Sequence, residues 1–116
     1  CGDKISFVSG DDTLTLPLMA VGGRGVISVV GNVVPRDVAE LTRAFLNGDW
    51  KRARELHLKL FPLCQAMFYE TNPIPVKTAM ALLGRISGEL RLPLCPMSEA
   101  NLNKLKAAMR AYGLLG

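Results

Sequence analysis

Only two stretches of this chain read as β-strand, and both lie before Pro35. Residues 4–9 (Lys-Ile-Ser-Phe-Val-Ser) form the first, with Ile5, Phe7 and Val8 as its apolar positions. Val26-Ile27-Ser28-Val29-Val30 forms the second. From Asp37 to the C-terminus the apolar period is that of helices. Two parallel strands joined by one crossover leave open edges, and parallel sheets take cover on both faces. The pattern is that of the last two strands and the helical tail of a larger α/β protein. The chain is expected to open mid-fold, at Cys1, and to carry part of an active site.

Length and composition narrow the function classes. One domain is expected at 116 residues, and 49% hydrophobic content is ample for a core. Fourteen Lys+Arg against ten Asp+Glu give a net charge of +4, with the positives gathered at Lys51, Arg52 and Arg54. Nucleic-acid modules add interleaved aromatics or a base-reading motif. Neither is present, so these charges read as a solvated helix face. Cys1, Cys64 and Cys95 with the single His57 make neither a disulfide framework nor a zinc site. Reduced thiols in a cytoplasmic protein are expected, with no metal and no cofactor. No basic segment followed by an apolar run opens the sequence, and no stretch approaches a membrane span.

Local signals divide the chain further. Ser9-Gly10-Asp11-Asp12 ends the first strand, with Asp12 or Thr13 as N-cap of a short helix over residues 14–21. Pro17 is tolerated in that helix's first turn, and Gly22-Gly23 stops it. The second strand, almost uniformly apolar, is expected to be buried on both faces. About a dozen residues join the strands, the length of a right-handed crossover. Val38, Leu41 and Phe45 line a helix that ends at Asn47-Gly48. Asp49 caps the next, with the stripe Ala53, Leu56, Leu60, Leu63 and Met67. Pro62 should kink that helix, and Glu55 can pair with Lys59. Asn72-Pro73-Ile74-Pro75 forces an extended turn before a helix from Val76 to Leu83. Residues 91–96 read as an extended connector. Ser98 opens a last helix with the stripe Leu102, Leu105, Met109 and Tyr112, closed by Gly113.

In parallel α/β folds the chemistry sits at the carboxyl ends of strands and in the loops after them. That selects Ser9-Gly10-Asp11-Asp12 and Ile27-Ser28 through Asn32. Gly10 lets backbone approach a ligand. Asp11 and Asp12 either line such a site or cap the helix, and spacing favours the cap. Gly22-Gly23-Arg24-Gly25 follows a helix and precedes a strand, the wrong order for a phosphate loop. Lys77, His57, Cys64 and Cys95 have no partner at a spacing that would make a nucleophile and base.

Ser9-Gly10-Asp11-Asp12, then Gly22-Gly23-Arg24-Gly25-Val26-Ile27-Ser28-Val29 and Asn32, resemble the dihydrodipicolinate synthase family. Asn72-Pro73-Ile74-Pro75-Val76-Lys77 and Arg91-Leu92-Pro93-Leu94 with Pro96 do so too, in the family's order. Departures are mild: Gly31 stands where alanine is common and Cys95 where threonine is. The resemblance implies an α/β fold, the C-terminal part of a (β/α)8 TIM barrel followed by an all-helical subdomain. Residues 1–36 would be the last two βα units and 37–116 the helical part. A whole barrel takes roughly 250 residues, so the N-terminal part of the barrel is the first partner expected.

The family condenses pyruvate with aspartate semialdehyde through a lysine Schiff base, toward diaminopimelate and lysine, commonly as a homotetramer. It places that lysine on the sixth strand, which neither Lys4 nor Lys77 matches. No catalytic residue is therefore expected in this chain. What carries over is Ile27, lying against pyruvate and offering its backbone, and Gly10, Asp11 and Asp12 as pocket wall. The alternatives are a sibling pyruvate-dependent aldolase, such as N-acetylneuraminate lyase, and a non-catalytic helical interaction module.

Overall fold

The structure, a computed structural model, describes residues 4–116; Cys1, Gly2 and Asp3, and the expectation attached to Cys1, lie outside the described residues. The chain forms two compact units, Cys1–Phe61 and Pro62–Gly116.

In the first unit β1 (Val8–Ser9) pairs in parallel with β2 (Gly25–Val26), Val8 opposite Gly25 and Ser9 opposite Val26. The pairing extends one residue each way, through the Arg24 amide on the Phe7 carbonyl at 2.7 Å and the Ile27 amide on the Ser9 carbonyl at 2.8 Å. Between the strands run a 3-10 turn, Asp12–Leu14, and α1 (Thr15–Ala20). A second 3-10 turn, Val30–Asn32, leads into α2 (Pro35–Leu46), whose proline sits in the first turn, where no N–H is needed. α1 packs on both strands and on α2, and α2 packs on the second 3-10 turn. Met19, Val30, Val33 and Leu41 are buried there.

The expectations for the two strands and the cap between them need correction. The first strand is shorter than residues 4–9, and Ile5 and Phe7 are exposed. The second stops at Val26, its continuation turns into the 3-10 segment, and Ile27 is 72% exposed rather than buried on both faces. A strand persists only where a neighbour supplies rungs, and the carboxylate of Asp12 diverts the amides of Val29 and Val30 from the sheet. Asp11, one residue ahead of the expected pair, caps the 3-10 turn, and α1 itself opens at Leu14 with no side-chain cap.

Gly22 takes φ +106°, the left-handed stop anticipated for α1, and the Gly23 amide closes back on the Leu18 carbonyl at 2.9 Å. α3 (Trp50–Ala66) begins under Asp49, whose Oδ1 accepts from the Arg52 amide at 3.0 Å. Its stripe Ala53, Leu56, Leu60, Leu63 and Met67 is buried throughout. The helix continues through Pro62, which offers no N–H to the Leu58 carbonyl. Glu55 lies 3.7 Å from Arg52, and Lys59 lies 2.6 Å from Asp37. Arg52 also meets Glu40 at 2.6 Å. Arg52 and Lys59 reach these carboxylates from solvent, where an ion pair adds little to stability.

The second unit takes in the end of α3, α4 (Ile74–Leu82) and α5 (Glu99–Tyr112), with α4 packed on α5. Leu105 and Met109 are fully enclosed. Ser98 caps α5, and one oxygen of Glu70 accepts from the Ser98 amide and hydroxyl, each at 2.9 Å, and from Asn101 Nδ2 at 3.0 Å. The Asn101 side chain above all holds the Glu70 carboxyl below its ordinary range. The connector expected to be extended holds a turn, closed by the Leu94 amide on the Arg91 carbonyl at 3.0 Å. The Asn72–Pro73 and Leu92–Pro93 bonds are cis. Among the described residues no helix is long and apolar enough to cross a membrane.

Candidate functional site

Two loops at the carboxyl ends of β1 and β2 are fastened to each other. Ser9 starts the first: its hydroxyl donates to the Asp11 carbonyl at 2.7 Å and accepts from the Asp11 amide at 3.1 Å. Asp11 Oδ1 then caps the 3-10 turn, accepting from the Thr13 amide at 2.7 Å and the Thr13 hydroxyl at 2.6 Å. Asp12, only 7% exposed, points the other way. Its carboxylate accepts from the Ser28 hydroxyl and from the amides of Val29 at 3.0 Å and Val30 at 2.9 Å. Its own carbonyl accepts from Thr15 Oγ1 at 2.9 Å. A buried carboxylate needs its lone pairs occupied, and three donors on two oxygens do this.

The sequence-selected residues thus fall in one place with different parts to play. Gly10 is exposed, and a Cβ built on it meets nothing within 4 Å. Ile27 stands at the end of β2 with its side chain in solvent and its amide on the Ser9 carbonyl. Asp11 caps the 3-10 turn, and Asp12 is the fastener that spacing did not reveal. The one hint was Ser28, a lone hydroxyl in an otherwise apolar run. Ser28 is doubly used, since its oxygen also accepts from the Gly31 amide at 2.7 Å.

The Thr13 hydroxyl chiefly lowers the Asp11 pKa, against partial desolvation and with help from the amides of Thr13 and Leu14. A carboxyl with a lowered folded value contributes stability above its ordinary value, lost as pH falls through the folded one. Asp11→Ala should cost about 1 kcal/mol near neutrality. Urea unfolding at about pH 7 and about pH 3 should show the gap between the two proteins narrowing in acid.

The other residues weighed in the sequence lie elsewhere. Lys77 lines a hollow of about 480 Å³ with Pro73, Ile86, Ser87, Arg91 and Leu94, and its ammonium donates to the Glu89 carbonyl. His57 is half-buried beside Phe61, ring centroids 5.9 Å apart, and desolvation lowers its pKa. Cys64 is buried and Cys95 exposed. No cluster of His, Cys, Asp or Glu able to hold a metal occurs among the described residues.

Residues 1–112 match the model of the dihydrodipicolinate synthetase family. The chain belongs to that family. Among its relatives is the 4-hydroxy-tetrahydrodipicolinate synthase of Geobacter metallireducens, 56% identical over 115 residues, a match covering 99% of this chain and 40% of that protein. The crystal structure of dihydrodipicolinate synthase from Aquifex aeolicus superposes with a TM-score of 0.94 at 56% identity, covering 97% of this chain and 39% of that one. The chloride-inhibited dihydrodipicolinate synthase from Acinetobacter baumannii, solved with pyruvate, gives 0.92 at 36% identity over 97% of this chain and 38% of its own. The chain therefore spans about 40% of the length of the family members it matches. Within that span, two parallel strands and the helices after them follow the dihydrodipicolinate synthase fold.

Proposed function

We propose that this chain is the C-terminal portion of a lyase, a 4-hydroxy-tetrahydrodipicolinate synthase that condenses pyruvate with aspartate semialdehyde in lysine and diaminopimelate biosynthesis. The observation that carries this reading is 56% identity, kept over 115 residues, with a protein of that name. In this reading residues 1–36 complete a (β/α)8 barrel and 37–116 form its helical tail. The whole protein is a cytoplasmic enzyme, a homotetramer, and its other barrel strands cover the edges of β1 and β2. A lysine outside these residues takes the C2 carbonyl of pyruvate as an imine with loss of water. Loss of a C3 proton turns that adduct into an enamine, whose C3 attacks the aldehyde of the semialdehyde while the aldehyde oxygen takes up a proton.

The share of this chain is the pocket. The Ile27 backbone faces pyruvate, and Gly10, Asp11 and Asp12 bound the neighbouring wall.

The test uses the complete polypeptide, with pyruvate and either aspartate semialdehyde or a sugar aldehyde such as N-acetylmannosamine. Turnover with the semialdehyde alone, and a borohydride-fixed pyruvate on one lysine ahead of residue 1, are the expected results. Turnover with the sugar would move the protein to the sibling aldolases. No pyruvate adduct at all would overturn the reading.

A further inference from the structure

The β1–β2 ladder stops one rung early, and side chains stop it. With Ser9 opposite Val26, the next residue of the first strand to bond across is Asp11. Its amide would donate to the Ile27 carbonyl, and its carbonyl would accept from the Val29 amide. Neither bond forms. The Asp11 amide turns back to Ser9 Oγ at 3.1 Å, and the Val29 amide goes to Asp12 Oδ2 at 3.0 Å. The Ile27 amide stays in the sheet, on the Ser9 carbonyl at 2.8 Å, so the residue remains anchored. Its carbonyl is left over: among the described residues no hydrogen bond engages it.

We propose that Ser9 and Asp12 are positioning residues that withhold this rung and so present the Ile27 carbonyl to the bound substrate. The inference rests on the pyruvate-dependent reading above. A carbonyl oxygen is an acceptor only, so it meets an O–H or N–H of the pyruvate adduct rather than the pyruvate carboxylate. Asp12 does not itself meet substrate. Both its oxygens are held by Ser28, Val29 and Val30, and it is 7% exposed. It belongs to the pocket wall from behind, by fixing the loop that follows Ile27.

The separating experiment compares Asp12→Ala, Asp12→Asn and Ser9→Ala in the complete polypeptide. Asp12→Ala frees the Val29 amide, and kcat/KM for pyruvate should fall about 10- to 100-fold, the scale of a misplacement near 1 Å. In Asp12→Asn the amide oxygen still accepts from Val29 and Val30 while the NH2 donates to Ser28 Oγ. It should recover about ten-fold of that loss, because the role is hydrogen bonding rather than charge. Ser9→Ala returns the Asp11 amide to the Ile27 carbonyl and restores the rung. It should lower kcat/KM about ten-fold with an unchanged melting temperature, a result that stands even if Asp12→Ala fails to fold.

Equal losses in Asp12→Asn and Asp12→Ala would mean a charged contact with substrate and would overturn the proposal. Wild-type kinetics in Ser9→Ala would overturn it as well. Absence of any pyruvate adduct in the wild type instead overturns the reading on which it rests.

Discussion

The 116-residue chain alone is expected to form no borohydride-stable adduct with pyruvate and no product above the uncatalysed background. Each lysine in it is accounted for. Lys4, Lys51 and Lys104 are exposed, and Lys59 is exposed and paired with Asp37 at 2.6 Å. Lys77 donates to the Glu89 carbonyl, and Lys106 is half-buried on α5. A Schiff-base lysine requires desolvation or a neighbouring cation to expose a free amine. None of these sites is closed to water. Intact mass after borohydride treatment reads the result directly. Labelling on any of these lysines would contradict the assignment, while labelling only after an N-terminal companion polypeptide is added would support it.

Leu105→Ala carries the largest expected effect on stability. Leu105 is 0% exposed on α5 in the second unit. Truncating a leucine so enclosed costs about 2–5 kcal/mol, part transfer and part residual cavity. Net stabilities of about 5–15 kcal/mol make that a large share. Leu58→Ala is the control: Leu58 is 63% exposed on α3, and its loss should stay within about 0.5 kcal/mol. Urea titrations of this chain should separate the midpoints clearly. Equal midpoints would mean that α5 is not held by its apolar stripe.

The helices were legible because their signals are local. Ser98, Leu105, Met109 and Gly113 lie within one helix and its caps, and each does what its spacing implies. The same holds for the stripe Ala53, Leu56, Leu60 and Leu63 on α3, with Met67 just after it. The second strand was misread because what ends it is distant in sequence. Val29 and Val30 are strand-like residues, yet their amides belong to Asp12, 17 and 18 positions away. No local propensity reports that bond. The meeting of the two strand-end loops was legible from the strand pattern and the Gly10 and Asp signals. Its wiring was not, since Asp11 and Asp12 are adjacent and chemically alike but face opposite ways.

α3 has a practical consequence for dissecting the protein. The division between the compact units falls at Phe61–Pro62, inside an unbroken helix. A tail polypeptide begun at Pro62 would keep residues 62–66 as a stub, far below the roughly 12–15 residues at which an isolated helix is even marginal in water. It would also lose Asp49, the cap on Arg52. The seam for cutting is the Asn47-Gly48-Asp49 turn between α2 and α3. An expressed tail should start there, with the whole rod attached.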